Sequence, residues 1–177
     1  MDMAIIGVMG SGQEEWADHA EPLGAWIAGA GHDLLTGGGG GVMRSVARAF
    51  HGTPGRRGRS IGILPSEPDP LRGHAPLPGY PNPYIDLPIL TPFARKPAGA
   101  PPTELSRNHV NILTSDVIVV LPGRHGTLDE VRLALRFGKP MIGFGPELDF
   151  QAMPAELRTT GDFGTVTAFI ADVLSSR

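Results

Sequence analysis

The chain has 177 residues, 41 % of them hydrophobic and 19 % charged, with a formal net charge of −3. That length suits one compact domain burying roughly 70 % of its unfolded surface, and the mild acidity excludes both a disordered polyelectrolyte and a nucleic-acid binder driven by bulk positive charge. The absence of cysteine removes disulfides, thiolate nucleophiles, iron-sulfur clusters and cysteine-bound zinc.

The opening MDMAIIGVMGSG carries an acid where a signal peptide has a basic region, and no apolar run approaches the ~18 residues of a membrane span. A soluble, cytoplasmic protein with no membrane partner is expected. Short apolar, β-branched runs with glycine-rich exits recur at residues 4–9, 33–36, 60–64, 117–121 and 141–144, and read as buried strands. Helical spacing fills the intervals at 14–31, 42–50, 103–114 and 128–137, and a last amphipathic helix is expected over 163–174, with Asp162 suited to its positive end. This alternation predicts an α/β fold: a single Rossmann-like, doubly wound parallel sheet flanked by helices, spanning residues 1–177.

One stretch breaks the rhythm. Twelve of the eighteen prolines fall between Pro65 and Pro102, which excludes regular helix there. Tyr80, Tyr84, Ile85, Leu87, Ile89, Leu90 and Phe93 are too apolar for a mere tether. An ordered excursion over 65–102, covering one edge of the site and carrying a short strand at 85–90, is expected.

Ligands of open parallel sheets bind beyond the carboxyl ends of the strands, and three such exits are glycine-rich: Gly10-Ser11-Gly12, Gly37 to Gly41, and PGRHGT over 122–127. The first fails the dinucleotide fingerprint, because Glu15 stands at the third glycine position and the second strand ends without an acid for a ribose. The pentaglycine is no Walker loop, since Val42 and Met43 replace the Lys and Ser or Thr that grip phosphate and magnesium. Its bare backbone, with Gly38, Gly39 and Gly40 at the centre, suits either an anion or the close passage of two backbones. In the third loop the amides of Gly126 and Thr127 can converge on a phosphate at a helix start. Alternatively, Thr127 is an N-cap and Glu130 completes its capping box.

These residues carry a resemblance. LPGRHGTLDE resembles the PGGxGTxxE motif of the Lonely Guy family, cytokinin-activating phosphoribohydrolases long mislabelled as lysine decarboxylases. TGGGGGVM resembles the second glycine motif of the same SLOG superfamily. With SRNHVNILTSDVIVV and NPYIDLPILT, the likeness covers most of residues 1–145 and is closer to the short bacterial branch that includes the molybdenum-cofactor carrier proteins. The resemblance implies Arg107 and Glu130 as catalytic residues. It implies Gly123, Gly126 and Thr127 as phosphate contacts, with Gly10, Ser11, Asn108, Pro122 and Arg124 beside the ligand. Two departures stand out: Arg107-Asn108 replaces the enzymes' Arg-Lys pair, and Arg124 occupies the position of the second motif glycine. Asn108 supplies no cation, while Arg124 adds one.

Two readings follow. In one, a nucleoside 5′-monophosphate is hydrolysed at its N-glycosidic bond, with Glu130 on the ribose and water and Arg107 steadying the departing charge. In the other, the protein carries or senses molybdenum cofactor or a related phosphorylated ligand without breaking it. The resemblance further implies a homodimer. A pyridoxal decarboxylase needs a well-placed lysine, and neither Lys96, in the excursion, nor Lys139, at the opposite rim, is expected to supply it. Alternatives for single residues are an Arg107 ion pair with Glu104 or Asp116, a solvated Asp129, an idle His125 and a core-facing His109. No HxxxH spacing points to a transition-metal site; no cofactor is required, and a bound phosphate or nucleotide with magnesium fits the sequence.

Overall fold

The computed structural model describes residues 3–97, 101 and 104–176. Along the chain run β1 (Ile5–Met9), α1 (Ala17–Gly29), β2 (Asp33–Thr36), α2 (Val42–Gly52), β3 (Ser60–Leu64), β4 (Ser66–Asp69), β5 (Gly73–Pro76) and β6 (Leu87–Leu90). They are followed by α3 (Arg107–Thr114), β7 (Val117–Val120), α4 (His125–Arg136), β8 (Met141–Phe144), a 3-10 turn at Glu147–Phe150, β9 (Thr159–Thr160) and α5 (Phe163–Ser175). Seven strands form one parallel sheet in the order β6-β3-β2-β1-β7-β8-β9, the expected Rossmann-like α/β architecture.

Strand periodicity divides the apolar side chains between two cores. From β1 and β7, Ile6, Val8, Val117, Val119 and Leu121 face α1, α2 and α5, meeting Leu23, Val46, Phe50, Val166 and Ile170. Met9, Ile118 and Val120 face α3 and α4, meeting Ile112, Val131 and Ala134. Ile6, Leu34 and Val117 line up on one face and Leu35, Ile118 and Val120 belong to the core on the other, so the centre of the sheet is apolar on both faces, as a doubly covered parallel sheet requires. Gly24 permits the close approach of α1 to α2, because a Cβ there would strike the Val46 carbonyl.

Several boundaries differ from expectation. The strand expected over 85–90 begins at Leu87 and adds to the sheet edge beside β3. The helix expected over 103–114 begins at Arg107, and Thr103 lies outside the described residues. The helix expected from residue 128 begins three residues earlier, at His125. The β4–β5 hairpin was not expected from the sequence; Asp69 Oδ1 accepts from the Leu71 and Arg72 amides at 2.9 and 2.8 Å, turning the chain through Gly73. Among the described residues no helix is long and apolar enough to cross a membrane.

Candidate functional site

β1 and β7 are neighbours, yet the chain leaves β1 toward β2 and leaves β7 toward β8 on the opposite side. This is the switch point where an open α/β sheet forms its ligand crevice. The exits are bonded to each other: Leu121 N donates to Met9 O at 2.8 Å, Ser11 N to Pro122 O at 3.1 Å and Val42 N to Ser11 O at 2.9 Å. The amides of Ser11 and Val42 are therefore occupied within the protein. Ser11 Oγ accepts from the Gln13 and Glu14 amides at 3.2 and 2.9 Å, so Ser11 shapes the turn.

The pentaglycine is a packing seat. A Cβ at Gly37 would strike the Arg107 guanidinium, one at Gly39 would meet the Tyr80 ring at 2.8 Å, and Gly38 and Gly41 hold positive φ angles of 72° and 55°. Asn82 clamps the run from the excursion, its amide N donating to Gly38 O at 2.8 Å and its Nδ2 to Gly39 O at 2.9 Å. The close neighbours at Gly37 and Gly39 are side chains, and at Gly38 they are the Leu64 side chain and the Gly62 backbone.

At the crevice lies a cavity of about 110 Å³ bordered by Gly10, Gly37, Met43, Tyr80, Arg107 and Glu130. Arg107 opens α3, whose start is fixed by a capping box in which Ser106 and His109 satisfy each other's backbone amides. His109 is accordingly buried, as its core-facing alternative holds. The Arg107 guanidinium donates to Gly37 O and Ile63 O at 2.6 and 2.8 Å and lies 5.3 Å from the centre of the Tyr80 ring. The ion pairs considered for it from sequence are not the ones it makes; Asp116 accepts from the Ile5 amide at 2.7 Å instead.

Glu130 lies one turn into α4 and accepts from Asn111 Nδ2 at 3.4 Å. Burial pushes its carboxyl up to about 7, with the Asp129 charge adding to the rise while the Arg107 charge and the Asn111 hydrogen bond oppose it. Asp129 is not the solvated acid expected. Lys96 Nζ contacts both its oxygens at 3.0 and 3.2 Å, and Asn108 Nδ2 donates to it at 3.3 Å. Lys96, carried by the excursion, is thus held by a carboxylate beside Glu130. Lys139 instead caps carbonyls of Leu113 and Ser115.

The remaining expected residues lie around this cavity without bordering it. Thr127 is the third residue of α4 and is buried against Gly123, so it is not the N-cap; that position belongs to Arg124. The amides of His125, Gly126 and Thr127 begin the helix without intrahelical acceptors, as helix geometry dictates. Gly126 and His125 are exposed, and Arg124 projects into solvent 3.5 Å from Glu14. Tyr80, Arg95, Met43 and Asn111 border or support the cavity although the sequence had not marked them as site residues. The sequence signal for Tyr80 was its position just before the quoted NPY.

Fold and site define a Rossmann-like protein with a polar cavity at its switch point, one acid and one anchored arginine. The chain belongs to the SLOG cluster4 family, whose profile matches residues 3–168. It is 30% identical over 155 residues to an uncharacterized protein of Archaeoglobus fulgidus, covering 86% of this chain and 87% of that one. Its fold matches the molybdenum cofactor carrier protein of Chlamydomonas reinhardtii with a TM-score of 0.73 and 29% identity, over 98% of this chain and 99% of that one. The molybdenum cofactor binding protein of Rippkaea orientalis matches with a TM-score of 0.72 and 29% identity over the same shares.

Proposed function

We propose that this protein binds a phosphorylated, nucleotide-like small molecule of the molybdenum-cofactor type in the β1–β7 crevice and carries it intact. The carrying observation is the cavity itself, where one carboxyl near half-protonation faces a guanidinium already committed to two carbonyls. A protonated Glu130 donates one hydrogen bond and accepts others, the complement of a heterocyclic amide edge. Arg107 commits one terminal nitrogen to Gly37 and Ile63, which anchors it, and its other terminal nitrogen, 3.5 Å from the Tyr80 hydroxyl, is left at the cavity wall to meet a ligand. Similarity along almost the full chain to two proteins described as binding or carrying molybdenum cofactor supports the same reading. The phosphate is assigned to the start of α4, at Gly123, Gly126 and Thr127, with Asn108 beside it. The protein is proposed to act in the cytoplasm as a homodimer.

One observation favours hydrolysis of a nucleoside 5′-monophosphate instead: a carboxyl titrating near 7 is well matched to general-base work. Incubation with AMP and other monophosphates, read by chromatography for free base, separates the two. The carrier reading expects no release and thermal stabilisation by a molybdopterin-type ligand. Release of base that Glu130→Gln abolishes overturns it in favour of the hydrolase.

A further inference from the structure

The inner cavity, about 110 Å³, is well below the ~300 Å³ at which small-molecule pockets begin. A nucleotide-sized ligand has to continue outward past its wall. Tyr80 and Arg95 belong to that wall, and the same two residues border a second groove of about 510 Å³. Gly40, Arg44, Asn82 and the 78–83 turn complete it, so two guanidinium groups and no carboxylate line the groove among the described residues.

Neither arginine is neutralised there. Arg95 meets the Tyr80 hydroxyl at 3.4 Å, and Arg44 has no ion-pair or hydrogen-bond partner among the described residues. One turn further along the same helix, Arg48 engages both Glu15 and Glu21, at 3.1 and 2.6 Å. The contrast matters because Arg44 is the third residue of α2, whose first turn contains no acid. A helix start carries partial positive charge and favours anions, so a cation held there is repelled by its own helix. An anion arriving from outside would offset both the dipole and the two guanidinium charges.

We propose that the outer groove is a second anion subsite, occupied by the terminal phosphate of a diphosphate-bearing ligand whose inner end enters the cavity past Tyr80. The ligand class is then a nucleoside diphosphate in preference to a monophosphate. This rests on the ligand-binding reading above and adds to the phosphate assigned at α4.

Calorimetric titration with ADP and AMP tests it. The wild-type protein is expected to bind ADP at least about tenfold tighter, the worth of one good charge-assisted contact. Arg44→Gln or Arg95→Gln should bring the ratio of the two affinities close to one, while Arg48→Gln, at a guanidinium already paired with Glu15 and Glu21, should leave that ratio intact. Equal affinities in the wild type, or an ADP advantage that survives in the double arginine variant, overturns the subsite. If neither nucleotide binds, the nucleotide-like reading fails and inorganic pyrophosphate decides the groove. Pyrophosphate binding lost in Arg44→Gln upholds it; absent binding, or binding indifferent to both arginines, overturns it.

Discussion

Glu130 makes the fold pH-sensitive in a direction opposite to an ordinary salt-bridged acid. Its carboxyl has a native value of about 7 against the ordinary 4.5. Between those values the native chain retains a proton that the unfolded chain has released, so stability falls as pH rises through this window and is level above it. At about 1.36 kcal/mol per pKa unit, the native-state penalty grows by about 2 kcal/mol between pH 5.5 and 8.5. Water entering the cavity makes this an upper figure. Glu130→Gln imitates the protonated side chain at every pH and removes the penalty. Relative to the wild type, its Tm should therefore gain about 4–8 °C more at pH 8.5 than at pH 5.5 for a chain of this size. Differential scanning calorimetry at the two pH values reads this directly. A variant offset that is the same at both, or that worsens with rising pH, would refute a buried acid and leave Glu130 a plain structural member of α4.

Two further outcomes follow from the neighbours. Arg107→Ala leaves the Gly37 and Ile63 carbonyls without their donors, and should lower unfolding free energy by about 2–4 kcal/mol, read from the urea midpoint at unchanged m-value. Asp129→Asn removes the like charge that adds to the upward shift of Glu130 and frees the Lys96 cation nearby. A carboxyl-carbon NMR titration should then find Glu130 below its wild-type value, and an unmoved or higher value would contradict the assigned cause.

The strands that build the crevice were legible because parallel strands covered on both faces must be continuously apolar, as VIVVL over 117–121 is. The hairpin β4–β5 was not, because SEPD and GHAP carry charges and prolines and lie largely at the surface, leaving no hydrophobic alternation to read. The start of α4 was misplaced for a related reason. PGRHGT has turn composition, yet the exit from β7 is bonded to the β1 exit and the chain enters helix at His125. Glu130 and Arg107 were legible through the family pattern. Tyr80 and Arg95 were legible only as members of an apolar, proline-rich excursion expected at one edge of the site, since Tyr80 meets Arg107 and Arg95 meets Tyr80 only when the chain folds back over the strand exits.

That folding back changes what the glycines mean. One of the two readings of the glycine run had its bare amides cradling an anion; the neighbouring Ser11 and Val42 amides already have acceptors, and Arg107, Met43 and Tyr80 lie against Gly37 and Gly39. Glycine is required there because side chains from α2, α3 and the excursion converge on the strand exits with no room for a Cβ. The cavity is consequently walled by a phenol, a thioether, two guanidinium groups and a carboxyl together with the main chain of Gly10, Gly12 and Gly37. Such a wall suits hydrogen-bonding edges and ring faces, in keeping with the proposal that phosphate is held further out, at the α4 start and the arginine-lined groove. Ligand discrimination should therefore reside in Tyr80, Glu130 and those two arginines, with the glycine run setting their positions.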